Sequence, residues 1–150
     1  MTANEILQRL RLILDLSDTQ MIATFAEGQQ QVTKTQVSAW LQKDDAPDYQ
    51  LCGDKLFASF LNGLIIQKRG KQDRQQPPTE EEINNNAVFR KLKIAFNLQA
   101  DDILGLLSSA GQQISKHELS AFFRRPGHKH YRECKDQVLI DFLTGLHKHG

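Results

Sequence analysis

Apolar residues recur every three or four positions along most of the chain, the spacing that places them on one face of an α-helix. The first stripe runs over residues 6–14, and three more follow at residues 21–25, 37–41 and 56–65. No segment shows the sustained alternation of apolar and polar residues that a half-buried β-strand requires. The pattern therefore predicts an all-α fold whose first half contains four helices.

Polar residues at the ends of these stripes predict where the helices begin. Thr2 is followed three residues later by Glu5, a capping-box pattern that starts a helix. We expect Asp18 to cap the second helix and Thr33 to cap the third, and the fourth helix to begin at Asp54.

The second half of the chain repeats the first. When the sequence is shifted by 82 residues, residues 4–68 align with residues 86–150 without a gap, and 15 of the 65 aligned positions are identical. A match of this length predicts an internal duplication, with two homologous four-helix repeats packed together. We place the repeats at residues 1–69 and 83–150, joined by a Pro-containing linker at residues 70–82. Identical pairs include Asn4/Asn86, Tyr49/Tyr131, Cys52/Cys134, Asp54/Asp136 and Gly63/Gly145.

Gly63 and Gly145 lie inside the apolar stripe of the fourth helix of each repeat. A glycine in a helix interior costs about 1 kcal/mol of stability relative to alanine. We expect this cost to be offset by close packing of another helix against each glycine. A functional role for these glycines is the alternative.

The composition is that of a soluble globular protein, with 39% hydrophobic and 25% charged residues. No apolar run is long enough to span a bilayer, and the first residues lack the charged and apolar regions of a secretory leader, so we expect neither a membrane span nor a leader. Two cysteines are too few for a disulfide framework, so we expect a cytoplasmic protein with free thiols. The net charge of +1 predicts no strong bulk attraction to nucleic acid or to membranes, and any electrostatic function must be local.

The chain resembles the bacterial YehS-like family in three stretches: FLNGLIIQKRGK (residues 60–71), INNNAVFRKLKIAF (83–96) and RRPGHKHYRECKDQ (124–137). That family is defined by a tandemly duplicated domain of unknown function. The resemblance implies a cytoplasmic bacterial protein with two all-helical repeats. It implies no activity and no catalytic or binding residues.

The loops before the fourth helices of the two repeats carry opposite charge. In the acidic loop, residues 42–54, one lysine stands against four aspartates, which gives a net charge of −3. In the basic loop, residues 124–136, five arginines and lysines stand against two acidic residues, which gives +3. All five histidines also lie in the second repeat. We expect features that the repeats share to be structural and features that differ to be functional.

The basic loop is the leading candidate for a binding site. Arginine binds phosphate through paired hydrogen bonds, and an exposed tyrosine can stack on a nucleobase. We therefore predict a non-catalytic module that presents this loop to phosphate-rich ligands, with RNA as the first candidate. The alternative is a solvated loop without a ligand. The predicted contact residues are Arg124, Arg125, Lys129, Tyr131 and Arg132.

Opposite charge on equivalent loops also predicts a protein–protein contact. The acidic loop would contribute Asp44, Asp45 and Asp48 to association with the basic loop of another copy. A single contact of this kind builds open chains or rings, and a reciprocal pair closes a dimer. The basic loop would likewise suit an acidic surface on another protein.

Two further hypotheses concern the same region. His128, His130 and Cys134 are spaced as H-x-H-x3-C and would supply three metal ligands, without an evident fourth. The shared pattern Y-x-x-C-x-D instead favours a structural role: a buried tyrosine ring, a small apolar cysteine and an aspartate that caps the fourth helix. We expect no bound metal or cofactor.

Residues 16–43 resemble a helix-turn-helix, with Lys34 and Gln36 at the start of its second helix, although the turn is longer than usual. No G-x-S-x-G, P-loop or H-E-x-x-H motif occurs in the sequence. The sequence therefore predicts a binding protein, and an enzyme of unknown chemistry is the weaker alternative.

Overall fold

The computed structural model describes residues 1–70 and 80–149 and shows an all-α protein, as the hydrophobic pattern predicts. In these two ranges it contains eight α-helices and no β-strand. Among the described residues no helix combines the length and the apolar content needed to cross a bilayer. The helices are α1 Ala3–Leu14, α2 Asp18–Glu27, α3 Lys34–Trp40, α4 Asp54–Arg69, α5 Asn85–Ala95, α6 Ala100–Ser109, α7 Lys116–Phe122 and α8 Asp136–His149.

The chain forms two compact units, Met1–Ile83 and Asn84–Gly150. In the first unit α2 packs against α3 and α4, and α1 packs against α4. In the second unit α6 packs against α7 and α8, and α5 packs against α8. The same helix pairs occur in both units, so the predicted duplication is confirmed.

Most of the predicted linker, residues 71–79 with Pro77 and Pro78, lies outside the described residues. Ile83, which the alignment placed at the start of the second repeat, belongs to the first unit. Its backbone N–H donates to the Asp54 carboxylate at 3.1 Å, and this bond ties the end of the linker region to the start of α4.

Side chains at the helix N-termini fix where the helices begin. Thr2 and Thr33 cap α1 and α3 as predicted, and each accepts a backbone N–H from three residues later, at 3.2 and 3.1 Å. The prediction for α2 is wrong by one residue, because Ser17 is the cap and Asp18 is the first helical residue. Ser17 accepts from the Gln20 N–H, and the Gln20 side chain accepts from the Ser17 N–H. This reciprocal pair is the complete capping box.

Aromatic rings fill the centre of each unit in different ways. In the first unit the ring of Phe25, from α2, lies 5.4 Å from that of Trp40 and 5.0 Å from that of Phe60. In the second unit Phe89, from α5, takes the central position and lies 4.6 Å from Phe142. Leucines occupy the positions equivalent to Phe25 and Phe89, so the large ring has moved from one helix to another. An exchange of this kind conserves the core volume.

Gly63 and Gly145 lie where the fourth helix of each unit touches the backbone of the second. A Cβ atom on Gly63 would overlap the carbonyl oxygen of Thr24 in α2, and one on Gly145 would overlap that of Leu106 in α6. Close contact between the helices therefore requires glycine at both positions. The prediction of close helix packing is confirmed.

Candidate ligand-binding groove

A buried asparagine holds the basic loop in place. Asn86, in the first turn of α5, donates from Nδ2 to the carbonyl oxygens of Phe122 and Arg132 at 3.0 and 2.7 Å. Its Oδ1 accepts from the Cys134 backbone N–H at 2.9 Å. One side chain thereby joins α5, the end of α7 and the basic loop. All three partners are main-chain groups, so these bonds do not depend on the side chains of the loop.

Asn4 makes the same three bonds in the first unit. Its Nδ2 donates to the carbonyl oxygens of Trp40 and Gln50 at 3.1 and 2.8 Å, and its Oδ1 accepts from the Cys52 N–H at 2.8 Å. The two loops are therefore held in the same way despite their opposite charge. This role is missed at the level of sequence. One feature of the sequence could have revealed this role. The same polar residue, Asn4 in one repeat and Asn86 in the other, stands at helical spacing from the apolar residues of the first helix.

The two cysteines are buried structural residues, each 4% exposed. Burial, followed by the nearby Asp136 carboxylate, raises the pKa of the Cys134 thiol from 9.0 to about 12. Burial and the Asp54 carboxylate raise the pKa of the Cys52 thiol to about 12 as well. Near neutral pH both thiols keep their proton, which makes them poor nucleophiles and poor metal ligands. The predicted role as small buried residues is confirmed.

The predicted capping role of Asp54 is wrong. Gly53 is the N-cap of α4, and the carboxylate of Asp54 accepts the N–H of Ile83. Asp136 is likewise the first residue of α8, and its carboxylate accepts from the Asn85 side-chain amide at 2.7 Å. Both carboxylates lie in the first turn of a helix, where negative charge interacts favourably with the helix dipole.

The basic loop and α7 enclose a groove of about 580 Å³, which we call the second groove. Tyr131 is half-buried there, and its hydroxyl accepts a 3.4 Å hydrogen bond from the Asn84 side chain. Lys129 and Arg132 are exposed at the same groove. The complete lining is His117, Glu118, Ala121, Phe122, Lys129, His130, Tyr131 and Arg132.

The first unit contains the same groove with a different lining. This first groove measures about 730 Å³ and lies between α3 and the acidic loop, with Tyr49 at the position of Tyr131. The duplication conserves the cavity and makes its second copy richer in basic side chains. Thr35, Gln36, Pro47, Asp48 and Gln50 in the first groove are replaced by His117, Glu118, Lys129, His130 and Arg132 in the second.

A separate pocket of about 310 Å³, which we call the shallow pocket, is lined by residues that are adjacent in sequence to those of the second groove. Its lining is Ser120, Phe123, Arg124, Arg125 and His128. The structure therefore divides the predicted contact residues between two sites. Lys129, Tyr131 and Arg132 share the second groove, whereas Arg124 and Arg125 line the shallow pocket.

The arginine and lysine side chains of both sites are exposed. Arg124, Arg125, Lys129 and Arg132 form no ion pair with any carboxylate in the described part of the chain. Exposed cations without carboxylate partners are available to an anionic ligand. Three aspartates of the acidic loop are likewise exposed, and they form no ion pair with a lysine or an arginine among the described residues.

The three aspartates predicted to mediate association lie on an accessible surface. Asp44, Asp45 and Asp48 are exposed, and Asp48 lines the first groove. Within residues 1–70 and 80–149 none of the three is neutralised by a lysine or an arginine. A basic partner would therefore meet their full charge.

His128, His130 and Cys134 are not brought together as metal ligands. Across the described residues, no three His, Cys, Asp or Glu side chains are grouped in a way that would hold a metal ion. Cys134 is buried, whereas His130 is exposed in the loop. The Nδ1 atom of His128 already accepts the His130 backbone N–H at 3.0 Å. The H-x-H-x3-C spacing is therefore not a three-ligand set in the folded chain.

The helix-turn-helix hypothesis is wrong. Residues 28–33 separate α2 from α3, which is longer than the three or four residues of that motif. The side chain of Gln36, at the start of the second helix of the proposed motif, accepts the Thr33 N–H at 2.8 Å in the capping box of α3.

The two repeats match one family. A family model described as a protein of unknown function, DUF1456, matches residues 3–70 and 85–150. The chain belongs to the DUF1456 family. The matched segments correspond to the two four-helix repeats of this DUF1456 protein, and the resemblance to the YehS-like family is confirmed.

A relative of this DUF1456 chain is the uncharacterized protein YehS of Escherichia coli strain K12. The two are 45% identical over 148 residues, which cover 97% of this chain and 94% of the relative. No solved structure matches the chain. The function of the DUF1456 repeats must therefore be argued from the geometry of the grooves.

Proposed function

We propose that the second groove binds phosphate-bearing ligands, with RNA the first candidate, and that it acts without catalysis. Both units hold their loops by the same asparagine bonds, so basic side chains are not needed to build the loop. Positive charge that folding does not require, concentrated around a cavity, is best explained by an anionic ligand. Such a ligand and two free thiols fit the expected cytoplasmic location. The observation that carries the proposal is the replacement of Pro47, Asp48 and Gln50 by Lys129, His130 and Arg132.

The second groove combines two kinds of contact that a nucleotide requires. Lys129 and Arg132 provide positive charge for phosphate, and an arginine can bind two phosphate oxygens at once. Tyr131 presents a half-buried ring on which a base can stack. Glu118 also lines the groove, but its carboxylate accepts the Ser115 N–H at 3.3 Å and serves the capping box of α7.

Titration of a labelled RNA, followed by fluorescence anisotropy, tests the proposal. We expect Arg132→Ala to weaken binding about five- to tenfold, because a phosphate contact is lost. The loop should keep its shape in this variant, because Asn86 bonds the carbonyl oxygen of residue 132 and not its side chain. Gln50→Ala, at the equivalent position of the first groove, is the matched control and should leave the affinity unchanged.

Added salt provides a second measurement on the same proteins. Each phosphate contact releases counterions, so the wild-type affinity should fall steeply as the salt concentration rises. The salt dependence should be shallower for Arg132→Ala than for Gln50→Ala. An RNA affinity that responds neither to ionic strength nor to the loss of Arg132 would contradict the proposal.

Self-association is a second candidate function, favoured by two exposed loops of opposite charge. Changing Asp44 and Asp45 to lysine should abolish assembly at low salt, because the acidic loop would then repel the basic loop. Adding Arg124→Glu and Arg125→Glu to that variant should restore it. Size-exclusion chromatography at low and high salt measures the assembly, and a size that ignores ionic strength would exclude the charge mechanism.

A further inference from the structure

We propose that the ligand is a single-stranded polynucleotide that crosses the basic loop and places phosphates in both the second groove and the shallow pocket. This inference rests on the proposed function, because it requires the second groove to bind phosphate. The residues that line the two cavities are adjacent in the sequence, both on α7 and in the basic loop. Ser120 lines the shallow pocket and Ala121 the groove; His128 lines the shallow pocket and Lys129 the groove.

The shallow pocket has positive charge of its own. Arg124 and Arg125 are exposed there, and Phe123 contributes an apolar surface. Lys93, from α5, extends the charge, because its Nζ lies 5.4 Å from the centre of the Phe123 ring. Three cations around a small concave surface favour a second phosphate, at a position separate from that in the second groove.

Histidine rings connect the two cavities. The ring centres of His128 and His130 are 5.5 Å apart, and those of His130 and His117 are 6.5 Å apart. Because Nδ1 of His128 accepts the His130 N–H, the neutral His128 ring carries its proton on Nε2, from which it can donate to a ligand. A strand that passes between the cavities would therefore meet hydrogen-bond donors and flat rings on which bases stack.

The shape of the second groove favours unpaired bases. Tyr131 is half-buried in a cavity of about 580 Å³, where its ring can be reached by a single base. In a double helix the bases stack on one another and the phosphates face outward, so a duplex would offer Tyr131 no base to contact. Stacking on an aromatic side chain is instead a regular feature of single-strand binding.

A mononucleotide can occupy only one of the two cavities. A strand that reaches both gains from the high effective concentration of its second phosphate once the first is bound. The arginines of the shallow pocket should then contribute to the binding of a strand and not to that of a mononucleotide. This difference separates the inference from the proposed function.

Calorimetric titration of the whole chain with three probes tests the inference. The probes are uridine 5′-monophosphate, a single-stranded oligouridylate of about eight nucleotides, and an RNA duplex of the same length. We expect the oligouridylate to bind at least about tenfold more tightly than the mononucleotide or the duplex. Arg125→Ala should weaken oligouridylate binding about five- to tenfold and leave mononucleotide binding unchanged, whereas Arg132→Ala should weaken both. Lys43→Ala, the equivalent of Arg125 in the acidic loop, is the matched control and should change neither.

Each contrary result has a separate meaning. Equal affinities for mononucleotide and oligouridylate, or an oligouridylate affinity that does not depend on Arg125, would overturn the polynucleotide inference and leave phosphate binding in the second groove intact. Equal affinity for the duplex would overturn the single-stranded assignment. If no probe binds, the proposed function fails together with the inference.

Discussion

Asn86 is 4% exposed and makes three hydrogen bonds to main-chain groups that lie 36 to 48 residues away in the sequence. Without its side chain, one backbone N–H and two carbonyl oxygens would lose their partners at a largely buried position. A buried polar group left without a partner costs about 1–3 kcal/mol. The stability of the second unit should therefore be unusually sensitive to this one position.

We predict that Asn86→Ala lowers the free energy of unfolding of the second unit by about 3 kcal/mol. Equilibrium unfolding in urea, followed by circular dichroism, measures the change. Gln137→Ala removes an exposed amide from α8 and should change the same quantity by less than about 0.5 kcal/mol. A comparably small effect for Asn86→Ala would mean that the loop is held by something other than this side chain.

The buried thiols predict a loss of stability at alkaline pH. Folding raises the pKa of Cys134 from 9.0 to about 12, so the folded state binds the thiol proton more tightly than the unfolded state does. The resulting stabilisation is fully present below pH 9 and is lost as the pH rises from there toward 12. Urea unfolding at about pH 8 and about pH 10.5 should show this decline, and a Cys52→Ala/Cys134→Ala variant should show a smaller one. An equal decline in both proteins would remove the thiols as its cause.

Some of these roles could be predicted from the sequence and others could not. Cys52 and Cys134 sit in loops of opposite charge, which argues against a shared reactive environment, and the structural role that the shared pattern predicts is correct. The cap of α2 was misplaced because Ser17 and Asp18 are both good caps. Gln20 decides between them, since it lies three residues after Ser17 and completes the reciprocal pair.

The contact between α6 and α8 depends on the absence of a side chain at Gly145. We predict that Gly145→Ala destabilises the second unit by about 1–3 kcal/mol, because the added methyl group pushes against the carbonyl oxygen of Leu106. Gly105→Ala is the matched control, because a Cβ atom there meets no neighbour. That change should stabilise the unit by about 0.5–1 kcal/mol through helix propensity alone. Thermal unfolding of both variants measures the contrast, and a shift of the same sign in both would contradict the packing argument.

Helix number and helix packing were predictable, whereas the grooves were not. Helical spacing reveals α4 and α8 because their apolar faces are long, and an interior glycine shared by both repeats indicates a close neighbour. The second groove depends on the distance between α7 and the basic loop. That distance is set by bonds from Asn86 to Phe122 and Arg132, which lie 36 and 46 residues away, and by the Arg132 N–H, which donates to the carbonyl oxygen of Ala121 at 3.2 Å. The spacing of apolar residues along a helix does not show which residues make contact when they are this far apart in the sequence.

The two units share their helix pairs and the asparagine bonds to their loops but differ in charge, so the binding property should be transferable between them. We predict that Pro47→Lys, Asp48→His and Gln50→Arg together create a second phosphate site in the first groove, where Tyr49 is already in place. Calorimetry should then report two binding sites for uridine 5′-monophosphate on each chain instead of one. Alanine at the same three positions is the control and should leave one site. A stoichiometry that stays at one in the lysine–histidine–arginine variant would show that charge and cavity are not sufficient.

Duplication and charge asymmetry are visible in the sequence, because both follow from comparing one half of the chain with the other. The division of the basic loop into two cavities is not visible, because Arg125 and Lys129 are close in sequence yet line different surfaces. Membership of the DUF1456 family confirms the two repeated segments and gives no function.

The main-chain bonds made by Asn4 and Asn86 have a consequence for how such proteins diversify. A loop that is held by hydrogen bonds to its main chain keeps its conformation when its side chains are replaced. The hypervariable loops of antibodies likewise vary in sequence on a constant framework. Point substitutions can therefore change the surface of either copy, while the asparagine keeps its bonds to the main chain of the loop. The same freedom makes either repeat a starting point for selecting artificial binders from randomised loop libraries.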